Sequence, residues 1–234
     1  MSASPAHSPP ASPPEGENPQ GTRERLLEAA EFLIGERGFK ITSLRDVTER
    51  AEANVAAVNY YFGSKDGLYV AVFESRFRKV NAIRLRMLDE AELLAGNHPV
   101  PPRVLLDALL RPITAMAAGC PGGTHPFAKV MGRYLFEPDP VLQPIFEREF
   151  EAVRVRFGAA LLRSFPHLDG GKLRGRMRFV LGATIHALAG IQPLPMIRAG
   201  APPDPADLET EFQDLLTFIE AGLGAPFLAQ RPAA

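Results

Sequence analysis

Past the first twenty residues, apolar side chains recur at spacings of three and four. Leu26, Leu27, Ala30, Leu33 and Ile34 trace one face of a helix, with Thr22 as a possible N-cap. Gly38 is the expected stop: with Gly38 at C′, Phe39 falls at C″ and Ile34 at C3, the pair that meets in a Schellman ending. Ser43 and Asp46 have the Ser-x-x-Asp spacing of a capping box, and Leu44, Val47 and Ala51 then share a face of a short helix ending near Ala51. Asn54 can cap a further helix over 55–62, whose Val58 and Phe62, four apart, turn inward. Gly63 and Ser64 end that helix and begin one over about 65–94, roughly 45 Å long at 1.5 Å per residue. Breaks at 119–124, 137–140, 166–171 and 191–205 divide the rest into helices over about 103–118, 126–136, 141–164, 172–190 and 206–223. No segment alternates with a period of two, so the predicted fold class is all-α.

Composition adds the ends and the setting. Residues 1–20 hold six prolines and four serines and no large apolar side chain, so they are expected to be a disordered tail. The remainder divides into a first domain over 21–67, a larger one over 68–224 and a short tail over 225–234. The lone cysteine, Cys120, has no intramolecular partner. No apolar run approaches the ~18 residues of a membrane span, and no basic-then-apolar leader opens the chain, so a cytoplasmic protein without membrane contact is expected. Net charge is −1, with 26 Lys and Arg against 27 Asp and Glu, which argues against a general basic coat.

Two short helices across a tight turn, with one helix before and a long one after, form a helix-turn-helix, whose second helix suits a DNA major groove ~12 Å wide. With Val58 and Phe62 inward, Asn54, Val55, Ala56, Asn59, Tyr60 and Tyr61 face outward. They offer small groups that admit the backbone, an amide that can read adenine, and phenols that can meet phosphate. Lys65 follows. A plain helical hairpin has the same apolar spacing, so spacing alone leaves both readings open.

The run Gly38-Phe39, Thr42-Ser43-Leu44-Arg45-Asp46-Val47, then Asn54 through Phe62 and Gly63-Ser64-Lys65-Asp66-Gly67-Leu68, resembles the DNA-binding domain of the TetR/AcrR family of transcriptional regulators over some 45 to 50 residues. The resemblance implies that Thr42, Ser43 and Arg45 meet phosphates. It places Val55, Ala56 and Asn59 at base edges, Tyr60, Tyr61 and Lys65 on the backbone, and Thr22 and Arg23 near an N-terminal arm. One position departs from the pattern: the turn glycine is Glu52, which costs on the order of 1 kcal/mol if the turn keeps a positive φ. Residues 21–65 balance seven basic against seven acidic side chains, so a moderate salt dependence is expected.

The C-terminal half resembles only the family's general plan, a helical bundle that binds a small-molecule effector and dimerises. Leu173, Met177, Leu181 and Leu188, with Ala183 and Ala187, and then Leu208, Phe212, Leu215, Leu216, Ile219 and Leu223, give broad apolar faces to the helices near 172–190 and 206–223. These faces can pair across a two-fold axis in a homodimer, or pack within one chain. Met116, Phe127, Met131 and Tyr134 suggest an adaptable pocket, with His125 and His186 as polar groups. No ligand spacing supports a metal, no cofactor is implied, and no Gly-x-Ser-x-Gly, Walker or dinucleotide motif supports an enzyme. The expected function is a ligand-responsive repressor that binds a palindromic double-stranded DNA operator. A helical enzyme or a protein-binding adaptor is the alternative.

Overall fold

The computed structural model describes residues 19–117, 126–136, 140–188 and 208–227. Among them are nine α-helices and no strand, as the pattern predicted. The chain divides into two compact units, Met1–Ser75 and Arg76–Ala234.

The first unit holds α1 (Pro19–Arg37), α2 (Leu44–Arg50), α3 (Val55–Phe62) and the opening turns of α4 (Lys65–Ala95). Its core includes the predicted stripe of α1, with Leu26, Leu27, Ala30, Leu33 and Ile34 all buried, together with Val47, Val58, Leu68 and Phe73. Two local expectations change. Thr22 is not an N-cap: α1 starts at Pro19, whose fixed φ suits a first helical position, and Thr22 is buried inside the helix. Gly38 does take the left-handed conformation, φ +86°, but the stop is the simpler αL form, in which Gly38 N–H donates to Ile34 O at 2.8 Å. Phe39 stacks on Tyr69 at 4.0 Å.

The second unit holds the rest of α4 with α5 (Pro102–Ala117), α6 (Pro126–Phe136), α7 (Gln143–Ser164), α8 (Gly170–Leu188) and α9 (Leu208–Gly224). α5 packs on α7, α8 and α9, and α8 packs on α6, α7 and α9. Leu88, Leu105, Leu106, Phe157, Leu161, Leu173, Val180, Phe212, Leu216 and Leu223 meet in its core. Ion pairs lace its surface: Arg156 reaches Asp89 at 2.5 Å and Glu92 at 2.6 Å, while Arg111 joins α5 to Glu209 of α9 at 3.0 Å. The apolar faces of α8 and α9 that suggested pairing between chains are turned largely into this chain's own core, since Leu173, Phe212, Leu216, Ile219 and Leu223 are all buried there. What α8 and α9 leave outside is different: Phe179 is 72% exposed and Phe218 70%. No described helix is long and apolar enough to cross a membrane.

Candidate nucleic-acid interface

The two short helices are set by their own caps. Ser43 Oγ accepts from Asp46 N–H at 3.1 Å and donates to Asp46 Oδ2 at 2.6 Å, while Ser43 N–H donates to the same carboxylate at 3.0 Å. The hydroxyl first, then the backbone N–H, hold the Asp46 carboxyl below the usual carboxylate range, so this acid stays ionised at the N-terminus of α2, where a negative charge is favoured. Asn54 caps α3, its Oδ1 accepting from Ala57 N–H at 2.8 Å. Ser64 Oγ does the same for Gly67 N–H of α4 at 3.0 Å. At Gly67 α4 passes so near the end of α3 that a Cβ would lie 2.0 Å from Phe62 O, so glycine is required there.

Between α2 and α3, Glu52 has φ +50°, the only positive φ of a non-glycine among the described residues. The turn keeps the glycine conformation without the glycine. It is held from outside as well, by Arg25 of α1, whose Nε donates to Ala51 O at 3.0 Å. Arg50 of α2 lies over the Phe32 ring of α1 at 3.7 Å, and Arg23 lies over Phe62 at 5.4 Å.

On α3, Ala57 and Val58 are buried and Phe62 is half-buried. Asn54, Val55, Ala56, Asn59 and Tyr60 are exposed, and Tyr61 is half-buried with its ring edge-on to Tyr60 at 4.9 Å. The helix carries no charged residue, so small groups, one uncommitted amide at Asn59 and two phenols make up the outward surface. Arg45 and Ser43 are exposed beside it at the start of α2. Lys65 is half-buried with Nζ 4.5 Å above the Phe39 ring, which steadies its long stem.

Thr42 departs from its expected role. It is 2% exposed and its hydroxyl donates to Gly38 O at 2.8 Å, so it fastens the α1–α2 connection and presents no hydroxyl to a phosphate. The clamps from Arg25 and Arg50 were missed, because nothing in the spacing of a basic side chain says which distant carbonyl or ring it will meet.

The residues proposed for a ligand pocket are partly assembled. Phe127 and Met131 are buried, Met116 and Tyr134 half-buried, and His186 exposed on α8; His125 and Cys120 lie outside the described residues. Phe127 meets Phe77 edge-on at 5.4 Å, and Tyr134 stacks on Phe146 at 4.2 Å. Phe146 and Phe150 complete this cluster, and Asn81 and Arg84, both buried, lie on the same helix as Phe77. The last two were legible in principle: they fall on the inward stripe of α4 with Phe77, Val80 and Leu88, where an apolar residue is expected.

Comparison with known proteins gives two family matches. Residues 26–72 fit the model described as bacterial regulatory proteins, tetR family, and residues 107–222 the tetracyclin repressor-like C-terminal domain. A probable HTH-type transcriptional regulator, YttP of Bacillus subtilis (strain 168), is 40% identical over 47 residues, 20% of this chain and 23% of that protein. The HTH-type transcriptional repressor NicS of Pseudomonas putida is 30% identical over 77 residues, 31% of this chain and 36% of the other. The matched stretch thus spans less than half the length of each of these relatives. Among solved structures, a transcriptional regulator from Rhodococcus sp. Rha1 superposes with a TM-score of 0.56 at 23% identity, covering 87% of this chain and 98% of that one. HlyIIR, a hemolysin II transcriptional regulator, does so with a TM-score of 0.56 at 19% identity, covering 89% and 100%. At these identities the structures show a shared fold.

Proposed function

The chain belongs to the TetR family of transcriptional regulators, and from that premise we propose that it is a homodimeric repressor that releases a palindromic DNA operator when a small molecule binds its C-terminal unit. The observation that carries the DNA-binding half is α3 itself: a two-turn helix, capped by Asn54 and packed through Ala57 and Val58, whose outward face bears no acid and offers Asn59 between small side chains and two tyrosines. Such a face admits the edge of a base pair without repelling phosphate. Val55, Ala56 and Asn59 read bases, while Tyr60, Tyr61, Lys65, Arg45 and Ser43 hold the backbone.

Support for dimerisation comes from what the bundle leaves uncovered. Phe179 on α8 and Phe218 on α9 project from helices whose Gly182 and Gly222 have open space where a Cβ would stand, a surface onto which a second copy's helices can close. A two-fold axis then sets two copies of α3 against inverted half-sites about one helical turn apart, ~34–36 Å, or a multiple of it. Selection of bound duplexes from random-sequence DNA, followed by footprinting, tests this. An inverted repeat protected on both halves is expected, and a single asymmetric half-site bound by a monomer would reject it.

A further inference from the structure

Among the described residues of the C-terminal unit, the buried guanidinium of Arg84 has no carboxylate opposite it. Arg84 on α4 is 6% exposed, and its hydrogen bonds among the described residues engage two of the five N–H groups a guanidinium carries. Nε donates to Leu109 O at 2.7 Å and Nη1 to Asn81 Oδ1 at 3.0 Å, and Asn81 in turn donates Nδ2 to Glu149 O at 2.7 Å. Both acceptors are neutral. Glu149, whose backbone oxygen takes the Asn81 amide, turns its carboxylate to Arg148 at 3.2 Å, and no carboxylate among the described residues pairs with Arg84. Burial pushes the guanidinium down to about 10, still cationic at neutral pH, with no compensating carboxylate to raise it.

A purely structural role does not require that charge. Leu109 O lies on α5 beside the Ala108 carbonyl that Pro112, lacking an N–H, leaves without its helical donor, so a donor from α4 is useful where the ladder is interrupted. A neutral donor would serve as well without the desolvation of an ion. Beside Arg84, moreover, stand aromatic rings that are only half-buried. Its Cζ lies 5.7 Å from the Phe150 ring, Phe150 stacks on Phe146 at 5.8 Å, and Phe146 stacks on Tyr134; all three rings are half-buried.

We propose that this unit takes a small organic carboxylate with a flat apolar body, its carboxylate on the free edge of the Arg84 fork and its body against Phe150, Phe146 and Tyr134. The planar fork matches a carboxylate in two parallel hydrogen bonds, and the rings supply area for the rest of the molecule. The assignment deepens the effector reading above and rests on it.

Calorimetric titration of the full chain with 4-phenylbutyrate, its isosteric amide and the corresponding amine tests the class of ligand, with operator binding followed in parallel. The acid is expected to bind about tenfold or more tightly than the amide, with the amine weakest. In Arg84→Met that preference falls to within about twofold, and the ligand-free protein melts no lower than the wild type, because the uncompensated charge is gone. Should Arg84→Met fail to fold, Arg84→Lys keeps the charge without the fork and is expected to lose most of the acid's advantage. Equal binding of acid and amide by the wild type, no binding of the acid, or an acid preference untouched by either substitution would overturn the assignment. Acid binding that leaves operator affinity unchanged would instead uphold the anion site and count against ligand-driven release.

Discussion

Glu52 is where one residue bears the strain of the DNA-reading motif. A left-handed conformation costs an L side chain about 1–2 kcal/mol, whereas glycine adopts it freely but loses about 0.4–1 kcal/mol through its looser unfolded state. Glu52→Gly is therefore expected to stabilise the N-terminal unit by roughly 0.5–1 kcal/mol, and Glu52→Val, β-branched at the same φ, to destabilise it by about 1 kcal/mol or more. Urea unfolding followed by circular dichroism checks the order. On α3, Asn59 and Tyr60 are both exposed yet carry different chemistry. Asn59→Ala should cost about 1–3 kcal/mol on the operator and little on random duplex, whereas Tyr60→Ala should weaken both alike. Titrations against the two DNAs separate the effects, and equal losses for Asn59→Ala would remove it from base reading.

At the scale of elements, α5 and α9 are joined by a charge that titrates in acid. Arg111 donates to both oxygens of Glu209, at 3.0 and 3.1 Å, and with a further bond from Gln213 this pushes the Glu209 carboxyl down to about 2, below its ordinary 4.5. A depressed carboxyl stabilises the folded state above its ordinary value, and that stabilisation drains away as pH falls from about 4.5 toward 2. The difference in melting temperature between wild type and Glu209→Gln should accordingly be constant above about pH 5, narrow below it, and shrink in high salt, since the side chain is 62% exposed. Elements were the most legible level of this molecule, and the reason is locality. Ser43 with Asp46, and Asn54 with Ala57, find their partners within one turn, so the letters that start α2 and α3 also fix them. Periodicity also put Leu173 and Leu216 on broad apolar faces, but it cannot say what covers such a face, and for these two residues the cover is the same chain. Thr42 misled for a related reason: a hydroxyl that could meet phosphate meets Gly38 O first. Arg84 can be placed on the inward stripe of α4 from its spacing, but its acceptor, Leu109 O, lies 25 residues away on another helix and no local pattern points to it.

For the whole molecule, the exposed phenylalanines of α8 and α9 make assembly testable apart from folding. Phe179→Glu combined with Phe218→Glu is expected to leave the helical signal intact while converting dimer to monomer in sedimentation, and to weaken operator binding because two half-sites are no longer read together. Leu216, 0% exposed, is the contrast: Leu216→Glu should unfold the bundle itself. A double variant that remained dimeric would place the two-fold interface elsewhere.

The continuity of α4 across the division at Ser75 has a kinetic consequence. The first unit is small, and a unit of that size covers only about 60% of the surface its unfolded chain exposes, so it opens far more often than the bundle. A helix that must start afresh meets a nucleation penalty of about 10⁻³, but α4 never has to: its later turns belong to the larger unit, and Lys65 to Ser75 regrow by adding one bond at a time to an existing end. Each opening of the DNA-reading unit is thus followed by closure from a seed already in place. Hydrogen exchange on the full chain should show amides of α1–α3 exchanging through frequent openings, those after Ser75 only through global unfolding, and those of the first turns of α4 in a graded series between the two.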